Sequence, residues 1–352
     1  MDQKTNEITG RKKEREEVLQ MLKRDPVVYA RFLELTEDFQ EDLIAFCMGN
    51  KGLKITWDPV FKEIFNPEVH ADRLSELLSA ILRHTVEVRR GLPNESSRLT
   101  AEGSLLIMDI LVELESGGLA NVEMQRIGYR FPGERGACYS SDLVLRQYAR
   151  AKAEMKKNFT YREMKKVYTI VLMDESGREF GEKKEYYRHH ARQVFDTGLN
   201  LELLQEYIYI PFDKFLDIYH KNNQNISEEL EAWLLFLASD DPADIVRLTK
   251  AYPKFRELYA EIAAFQQRPE ELVNMYSKAL EIMDRNTVQY MIEEQKKEIE
   301  EQARLLAEKD RVIAEKDKAM AEHNKAMAEK DAQLAALREK LENMNREKGD
   351  AL

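Results

Sequence analysis

Apolar and polar positions along the chain predict two neighbouring strands that carry acidic side chains. Residues 105–112 are eight in a row of which only Asp109 is polar, which is typical of a buried strand. After a Gly-containing turn, residues 119–126 form a second predicted strand, in which Glu123 and Gln125 project from the same face. Such a hairpin can bring Asp109 beside Glu123, and two adjacent carboxylates suit a divalent cation.

The same pattern predicts helices around this hairpin and more strands beside it. A helix is expected to open at Asp58, because Asp is a good N-cap and the following Pro59 suits the first helical position. Residues 1–50 also read as helical. The last helix of this extension is predicted at 38–48. Further helices are predicted at 72–82, 135–157 and within 226–282, and further strands at 84–90, 167–173, 184–196 and 203–212.

The tail from about Thr287 follows a different pattern. Large apolar residues recur every seven residues, at 306, 313, 320, 327, 334 and 341, which is typical of a coiled coil. The other seam position carries Asp310, Asp317 and Asp331, and buried aspartates destabilise a parallel dimer. The tail therefore predicts a weak or conditional coiled coil, with self-association favoured over a solvated single helix.

Composition argues against a membrane-spanning or a secreted, disulfide-rich protein. The chain has 352 residues, of which 43% are hydrophobic and 34% charged, and its net charge is −11. It contains no apolar run of about 18 residues that would predict a membrane span. Residues 1–15 lack the apolar centre of a signal peptide, and two cysteines make no disulfide framework, so a reducing cytoplasm is expected.

One basic segment stands out in this acidic chain. Residues 146–166 hold eight lysines and arginines against two glutamates, with Tyr148, Phe159 and Tyr161 interspersed. This composition predicts a surface that contacts nucleic-acid phosphates beside the site. The alternative is a solvated helix face that is paired with acidic residues elsewhere.

Taken together, these residues resemble the PD-(D/E)xK nuclease superfamily, in its branch of transposase-like or recombination-promoting nucleases. The resemblance covers roughly residues 55–215. It rests on Asp-Pro-Val-Phe-Lys-Glu-Ile-Phe at 58–65, on Asp109, on Glu123-Met124-Gln125, and on Arg135 and Tyr139. It implies an α/β (α+β), restriction-endonuclease-like fold, in which a mixed sheet is flanked by helices.

The resemblance also implies metal-dependent cleavage of a DNA phosphodiester. Asp109 and Glu123 are the implied ligands of Mg²⁺, with Mn²⁺ as an alternative. Gln125 stands where most members of the superfamily carry a lysine, so another group must supply the positive charge, and Lys62, Arg126 and Arg130 are candidates. The expected catalytic residues are Asp109, Glu123, Gln125, Asp58 and Lys62, and the expected nucleic-acid contacts are Arg126, Arg130, Arg135, Tyr139, Arg150, Lys156 and Lys157.

Two acidic residues of the helix that opens at Asp58 have structural alternatives to a role at the metal. Asp58 has the capping role already described, and Glu63 on the same helix is either an additional acidic group at the metal or, as favoured here, a solvated residue. The expected organisation is a helical extension (1–54), the nuclease-like core (55–215), a helical region (216–286) and the tail (287–352).

The favoured hypothesis is a Mg²⁺-dependent DNA endonuclease whose tail mediates self-association. One alternative is a non-catalytic interaction protein that uses a nuclease-like scaffold and a coiled coil. Another alternative keeps the chemistry and replaces DNA by RNA.

Overall fold

The computed structural model describes residues 13–93, 108–126, 132–277 and 303–321, together with the single tail residues 325, 327, 330, 333, 334 and 337. The chain divides into two compact units, residues 1–282 and residues 283–352. None of the helices in the described ranges has both the length and the apolar character that a membrane crossing requires.

A mixed sheet lies at the centre of the first unit. Its strands are β1 (Val88–Gly91), β2 (Ile110–Leu114), β3 (Leu119–Gln125), β4 (Val167–Met173), β5 (His189–Arg192) and β6 (Gln205–Pro211). The spatial order is β1-β2-β3-β4-β6-β5. β2 is antiparallel to β1 and β3, whereas β3, β4 and β6 run parallel, and β5 lies antiparallel at the far edge.

Helices flank this sheet, as the sequence predicts, so the expected mixed α/β architecture is confirmed. They are α1 (Arg15–Lys23), α2 (Pro26–Glu34), α3 (Glu37–Cys47), α4 (Asp58–Ile64), α5 (Ala71–Leu82), α6 (Pro132–Met155), α7 (Phe212–Lys221), α8 (Glu229–Ala238), α9 (Pro242–Ala251) and α10 (Phe255–Ala264).

The central strands are covered on both faces. Every residue of β3 and of β4 is buried, as expected for parallel strands with helices on either side. On one face, Leu119 and Val167 form an apolar cluster with Tyr139 and Leu143 of α6. The opposite face joins a larger core cluster that extends from Val18 in α1 to Val273.

Helix α6 lies unusually close to the sheet at Gly136. A Cβ atom at this position would lie 2.3 Å from the Tyr209 hydroxyl, which itself donates a hydrogen bond to the Pro132 carbonyl oxygen at 3.0 Å. Only glycine allows this approach without moving the tyrosine. The contact fixes the N-terminal part of α6, which carries Arg135 and Tyr139.

Three predicted strands differ from the observed ones. The strand that was expected to contain Asp109 begins at Ile110, and residues 105–107 lie outside the described ranges. The segment predicted at 84–90 becomes β1 only from Val88, because the Val86 amide donates to Ser79 Oγ of α5 instead of entering the sheet. The segment predicted at 184–196 shortens to β5, since the chain makes a turn before it in which the Tyr186 amide donates to the Lys183 carbonyl oxygen at 3.0 Å.

The second unit is helical over residues 303–321. Leu306, Ile313 and Met320, which the heptad pattern places on one stripe, are 56–63% exposed.

Candidate active site

Helix α4 contributes two charged side chains to the candidate site. Val60, Phe61 and Ile64 face the core, and this leaves Asp58 and Lys62 on the opposite side at helical spacing. The Lys62 ammonium group lies 2.9 Å from the Asp58 carboxylate. The start of α4 is tied to the end of β4 by the Thr56 hydroxyl, which donates to Asp174 Oδ2 at 3.0 Å.

The β2–β3 hairpin contributes the two predicted metal ligands. Asp109 lies one residue before β2, and its Oδ2 accepts a hydrogen bond of 2.8 Å from the Met124 amide. In return, Glu123 Oε1 accepts hydrogen bonds from the Asp109 amide at 3.3 Å and from Asn121 Nδ2 at 2.8 Å. These reciprocal bonds hold both carboxylates against the backbone of the hairpin.

Lys62 joins the helix to the hairpin. Its ammonium nitrogen lies 2.9 Å from Asp109 Oδ1 as well as 2.9 Å from Asp58. Four of the five predicted catalytic residues, Asp58, Lys62, Asp109 and Glu123, are thereby linked by charge and hydrogen bonds. Gln125 is two residues beyond Glu123 on the same buried face of β3.

Three carboxyl groups in this cluster share the positive charge of Lys62, and the pKa values of Glu123 and Asp58 reflect this. Burial, followed by the charge of Asp109, raises the pKa of Glu123 to about 8. Burial and Asp109 likewise raise the pKa of Asp58 to about 6. Burial alone would lower the pKa of Lys62, but Asp109 and Asp58 raise it above its ordinary value. Such shifts are typical of functional sites.

Two buried amides extend the acidic face of β3. Asn121 and Gln125 are 0% and 5% exposed, and neither Asn121 Oδ1 nor Gln125 Oε1 has a hydrogen-bond partner among the described residues. Buried polar atoms without partners are rare in folded proteins. These acceptors are therefore available to a bound water or a protonated ligand group.

Arg135 of α6 lies near the hairpin. Its guanidinium donates to the Tyr139 hydroxyl at 2.8 and 3.0 Å, and its charge opposes the rise in the pKa of Glu123. Tyr139 is only 2% exposed. Its burial and its contacts with Arg135 place Tyr139 where it orients that guanidinium, and a contact of Tyr139 with nucleic acid stays a prediction.

The donor set fits a hard divalent cation with two protein ligands. No three acidic, His or Cys side chains of the described residues already surround a common point, and the Lys62 ammonium group contacts both Asp58 and Asp109. Magnesium sites commonly use one or two carboxylates, with water and phosphate oxygens in the remaining positions. Asp109 and Glu123 meet this requirement, because a cation would replace the proton that Glu123 retains.

The structural alternatives for Asp58 and Glu63 have opposite outcomes. Trp57, not Asp58, is the N-cap of α4, and Asp58 is the first helical residue with its side chain on Lys62. Capping therefore does not account for Asp58. Glu63 is exposed, which agrees with the favoured prediction of a solvated residue.

The predicted nucleic-acid contacts fall into separate groups. Arg126 is exposed directly after β3, whereas Arg130 lies outside the described residues. Arg150 donates to the buried Glu113 carboxylate at 3.0 Å, as the alternative of a paired helix face predicts.

The basic segment is not beside the site, contrary to expectation. Lys156 and Lys157 are exposed just past the last residue of α6. Lys156 lies 17 residues beyond Tyr139, or about 25 Å along the helix at 1.5 Å per residue. The sequence does not reveal this separation, because it depends on which end of α6 meets the hairpin.

Sequence reasoning also missed Asn121 and Asp174. Asn121 could have been found from its alternation with Glu123 and Gln125 along a buried strand. Asp174 had no such signal, because its link to Thr56 joins segments that are 118 residues apart.

A mixed sheet flanked by helices is consistent with a restriction-endonuclease-like fold, and comparison with known proteins agrees with it. A family model described as PD-(D/E)XK nuclease family transposase matches residues 55–295, more than half of the chain. The chain therefore belongs to this family. Comparisons with curated proteins and with solved structures gave no match.

We predict that Glu123→Gln stabilises the metal-free protein. Because the folded-state pKa of Glu123 is raised to about 8, folded protein holds a proton that the unfolded chain has released. The free energy of unfolding thus falls as pH rises from about 4.5 towards 8. Glutamine keeps the acceptor oxygen without the charge, so urea unfolding in EDTA at pH 8 should show a gain on the order of 2 kcal/mol that shrinks at pH 5.

Glu113→Gln is the matched control for this measurement. Glu113 is a buried carboxylate too, but Arg90 and Arg150 contact it at 2.8 and 3.0 Å. Removing its charge is expected to destabilise the protein. The prediction concerns the sign of the change in the free energy of unfolding and not its size. A lower free energy of unfolding for Glu123→Gln than for the wild type at pH 8 would contradict it.

Proposed function

We propose that this protein is a Mg²⁺-dependent DNA endonuclease of the transposase or recombination-promoting type. The observation that carries the proposal is the convergence of Asp58 and Lys62 from α4 with Asp109 and Glu123 from the hairpin. Membership of the nuclease family supports the hydrolysis of phosphodiester bonds. Two free cysteines, Cys47 and Cys138, are compatible with the proposed cytoplasmic location.

Asp109 and Glu123 are the proposed ligands of the metal. When bound, Mg²⁺ or Mn²⁺ supplies a Lewis acid that polarises the phosphoryl group and lowers the pKa of a water molecule. The hairpin amides of Met124 and Asp109 fix the two carboxylates before any substrate arrives. Such preorganisation is what precise positioning of the reacting groups requires.

Lys62 is proposed to provide the cation that Gln125 cannot. Its raised pKa keeps the ammonium group charged throughout the physiological range. A fixed positive charge at this position stabilises the negative charge that develops on the phosphoryl oxygens. Gln125, whose Oε1 lacks a partner among the described residues, is proposed to accept a hydrogen bond from the attacking water.

The tail is proposed to bring two catalytic cores together. Helix 303–321 exposes Leu306, Ile313 and Met320 to solvent, and exposed apolar residues at heptad spacing favour pairing with a second helix. Two cores in one assembly could cut both strands of a duplex, which recombination requires.

We predict magnesium-dependent nicking or cutting of plasmid DNA by the full chain. Asp109→Asn and Glu123→Gln should each reduce the rate at least about a hundredfold, because each removes a charged metal ligand. Agarose-gel assays with Mg²⁺, Mn²⁺ or EDTA measure this loss, and circular dichroism verifies folding.

Glu63→Gln is the control, since it removes an exposed carboxylate from the same helix as Lys62. If folded wild-type protein cuts no DNA with either metal, the non-catalytic alternative replaces this proposal. Preferred cutting of RNA in direct competition would replace DNA as the substrate.

We predict that Lys62→Met separates catalysis from metal binding. The rate of cleavage should fall about a hundredfold or more, as expected for the loss of one preorganised charge. Metal affinity measured by calorimetry should stay equal or increase, because Asp109 loses its competing ammonium partner.

Lys51→Met provides a close comparison. Lys51 also bridges two aspartates, Asp42 at 3.0 Å and Asp240 at 3.4 Å, but neither aspartate belongs to the site. This variant should cleave DNA at the wild-type rate. Unchanged cleavage by Lys62→Met would assign the catalytic cation to another residue.

We predict that a chain ending at Asn286 has a lower oligomeric state than the full chain. Removing the tail removes the exposed heptad positions that favour pairing. Multi-angle light scattering at several protein concentrations measures the molar mass of each chain in solution. If the ratio of this molar mass to the mass of one chain is the same with and without the tail, self-association through the tail is refuted.

A further inference from the structure

Three aromatic rings, of which Tyr161 is exposed and Tyr148 and Phe159 are half-buried, form a cluster at the end of α6 that is remote from the site. Tyr148 and Tyr161 are stacked, with centroids 6.2 Å apart and planes 16° from parallel. Phe159 meets both rings edge-on at 5.4 and 5.6 Å. We call Tyr148, Phe159 and Tyr161 the aromatic platform.

The backbone explains how the platform forms. α6 ends at Met155, and Lys156 adopts a φ of 49°, a left-handed conformation that reverses the chain. The following 3₁₀ turns bring Phe159 and Tyr161 back over Tyr148. The three rings therefore contact one another at the surface of the protein.

Exposure and charge indicate what the platform contacts. Tyr161 is 78% exposed, so this ring does not serve to fill the core. Lys152 Nζ lies 5.2 Å from the centre of the Tyr148 ring and donates to its hydroxyl at 2.9 Å. Exposed cations on the same segment of the chain are Lys156, Lys157, Arg162 and Lys165. An exposed aromatic ring on a segment rich in exposed cations, in a chain of net charge −11, is complementary to a base with its flanking phosphates.

We propose that the aromatic platform stacks an unpaired base of a DNA strand, while the lysines around it hold the neighbouring phosphates. This inference deepens the proposed function and rests on its assignment of DNA as the substrate. Tyr148 and Lys156 lie nine and 17 residues beyond Tyr139, or about 13 and 25 Å along α6. The platform therefore lies away from the candidate catalytic cluster, where it would contact the strand at a distance from the scissile bond. DNA with an unpaired segment near the cut is the substrate class that fits.

Binding measured in EDTA tests the platform independently of cleavage. The probes are a fluorescein-labelled oligothymidylate and a blunt duplex of the same length, bound to the full chain and followed by anisotropy. Tyr161→Ala should weaken strand binding about tenfold and leave duplex binding within about twofold, because stacking needs an unpaired base. Tyr161→Phe should bind like the wild type.

A salt titration distinguishes stacking from charge. Tyr161→Ala should keep the wild-type slope of log affinity against log salt, whereas Lys157→Gln should reduce that slope by about 0.7 on a single strand. Quenching of a 2-aminopurine base in the strand should disappear in Tyr161→Ala. Tyr186→Ala is the control, since Tyr186 is 57% exposed and has no ring contact with another described residue.

Several results would overturn the inference. They are unchanged strand binding by Tyr161→Ala, an equal loss of strand and duplex binding, or tighter binding of the same sequence as RNA. Because no metal is present, these outcomes are distinct from a failure of the nuclease proposal, which the plasmid assay measures separately.

Discussion

The Lys62 ammonium group, held between Asp58 and Asp109, is the interaction on which the rest of the site depends. It joins a helix to a hairpin and balances only part of the negative charge that gathers there. Glu123 responds by retaining a proton, because Asp109 lies nearby and burial disfavours its ionised form. A group of acids that one lysine does not neutralise is poorly suited to stability alone. It is well suited to a divalent cation, whose two charges remove the same imbalance.

The sheet determines where the acidic and amide side chains of the site lie. β3 is buried along its whole length, so a polar residue there must bond to a neighbour or remain unsatisfied. Glu123 bonds to Asn121 and the Asp109 amide, whereas Gln125 Oε1 has no partner among the described residues. Thr56 and Asp174 hold the start of α4 against the end of β4, which sets where Lys62 can reach. The fold thus orients the carboxylates and the cation through different elements, the hairpin and α4.

The alternation of residues along the chain was sufficient to predict the hairpin and its acidic residues. Local patterns could not predict the bridge from Lys62 to Asp109, because that contact joins residues 47 positions apart through tertiary packing. The residue preferences at helix starts even favoured an N-cap role for Asp58. In the structure its side chain contacts Lys62 instead. The distance of the basic segment from the site was also unpredictable, since composition gives charge but not the direction in which α6 crosses the sheet. Rules of local structure are expected to fail most often at functional sites.

A catalytic charge is defined by its position in space and not by its position in a motif. A lysine at residue 125 would enter a strand that is buried on both sides, where an ammonium group needs a carboxylate partner to remain charged. Lys62 arrives from a helix with such partners already in place, and its pKa is raised as a result. Under the proposed function, glutamine in the strand and lysine on the helix divide the two tasks that one lysine performs in most of the superfamily. The glutamine contributes a hydrogen-bonding amide and the helix contributes the charge, so the absence of lysine from the strand motif does not imply the absence of chemistry.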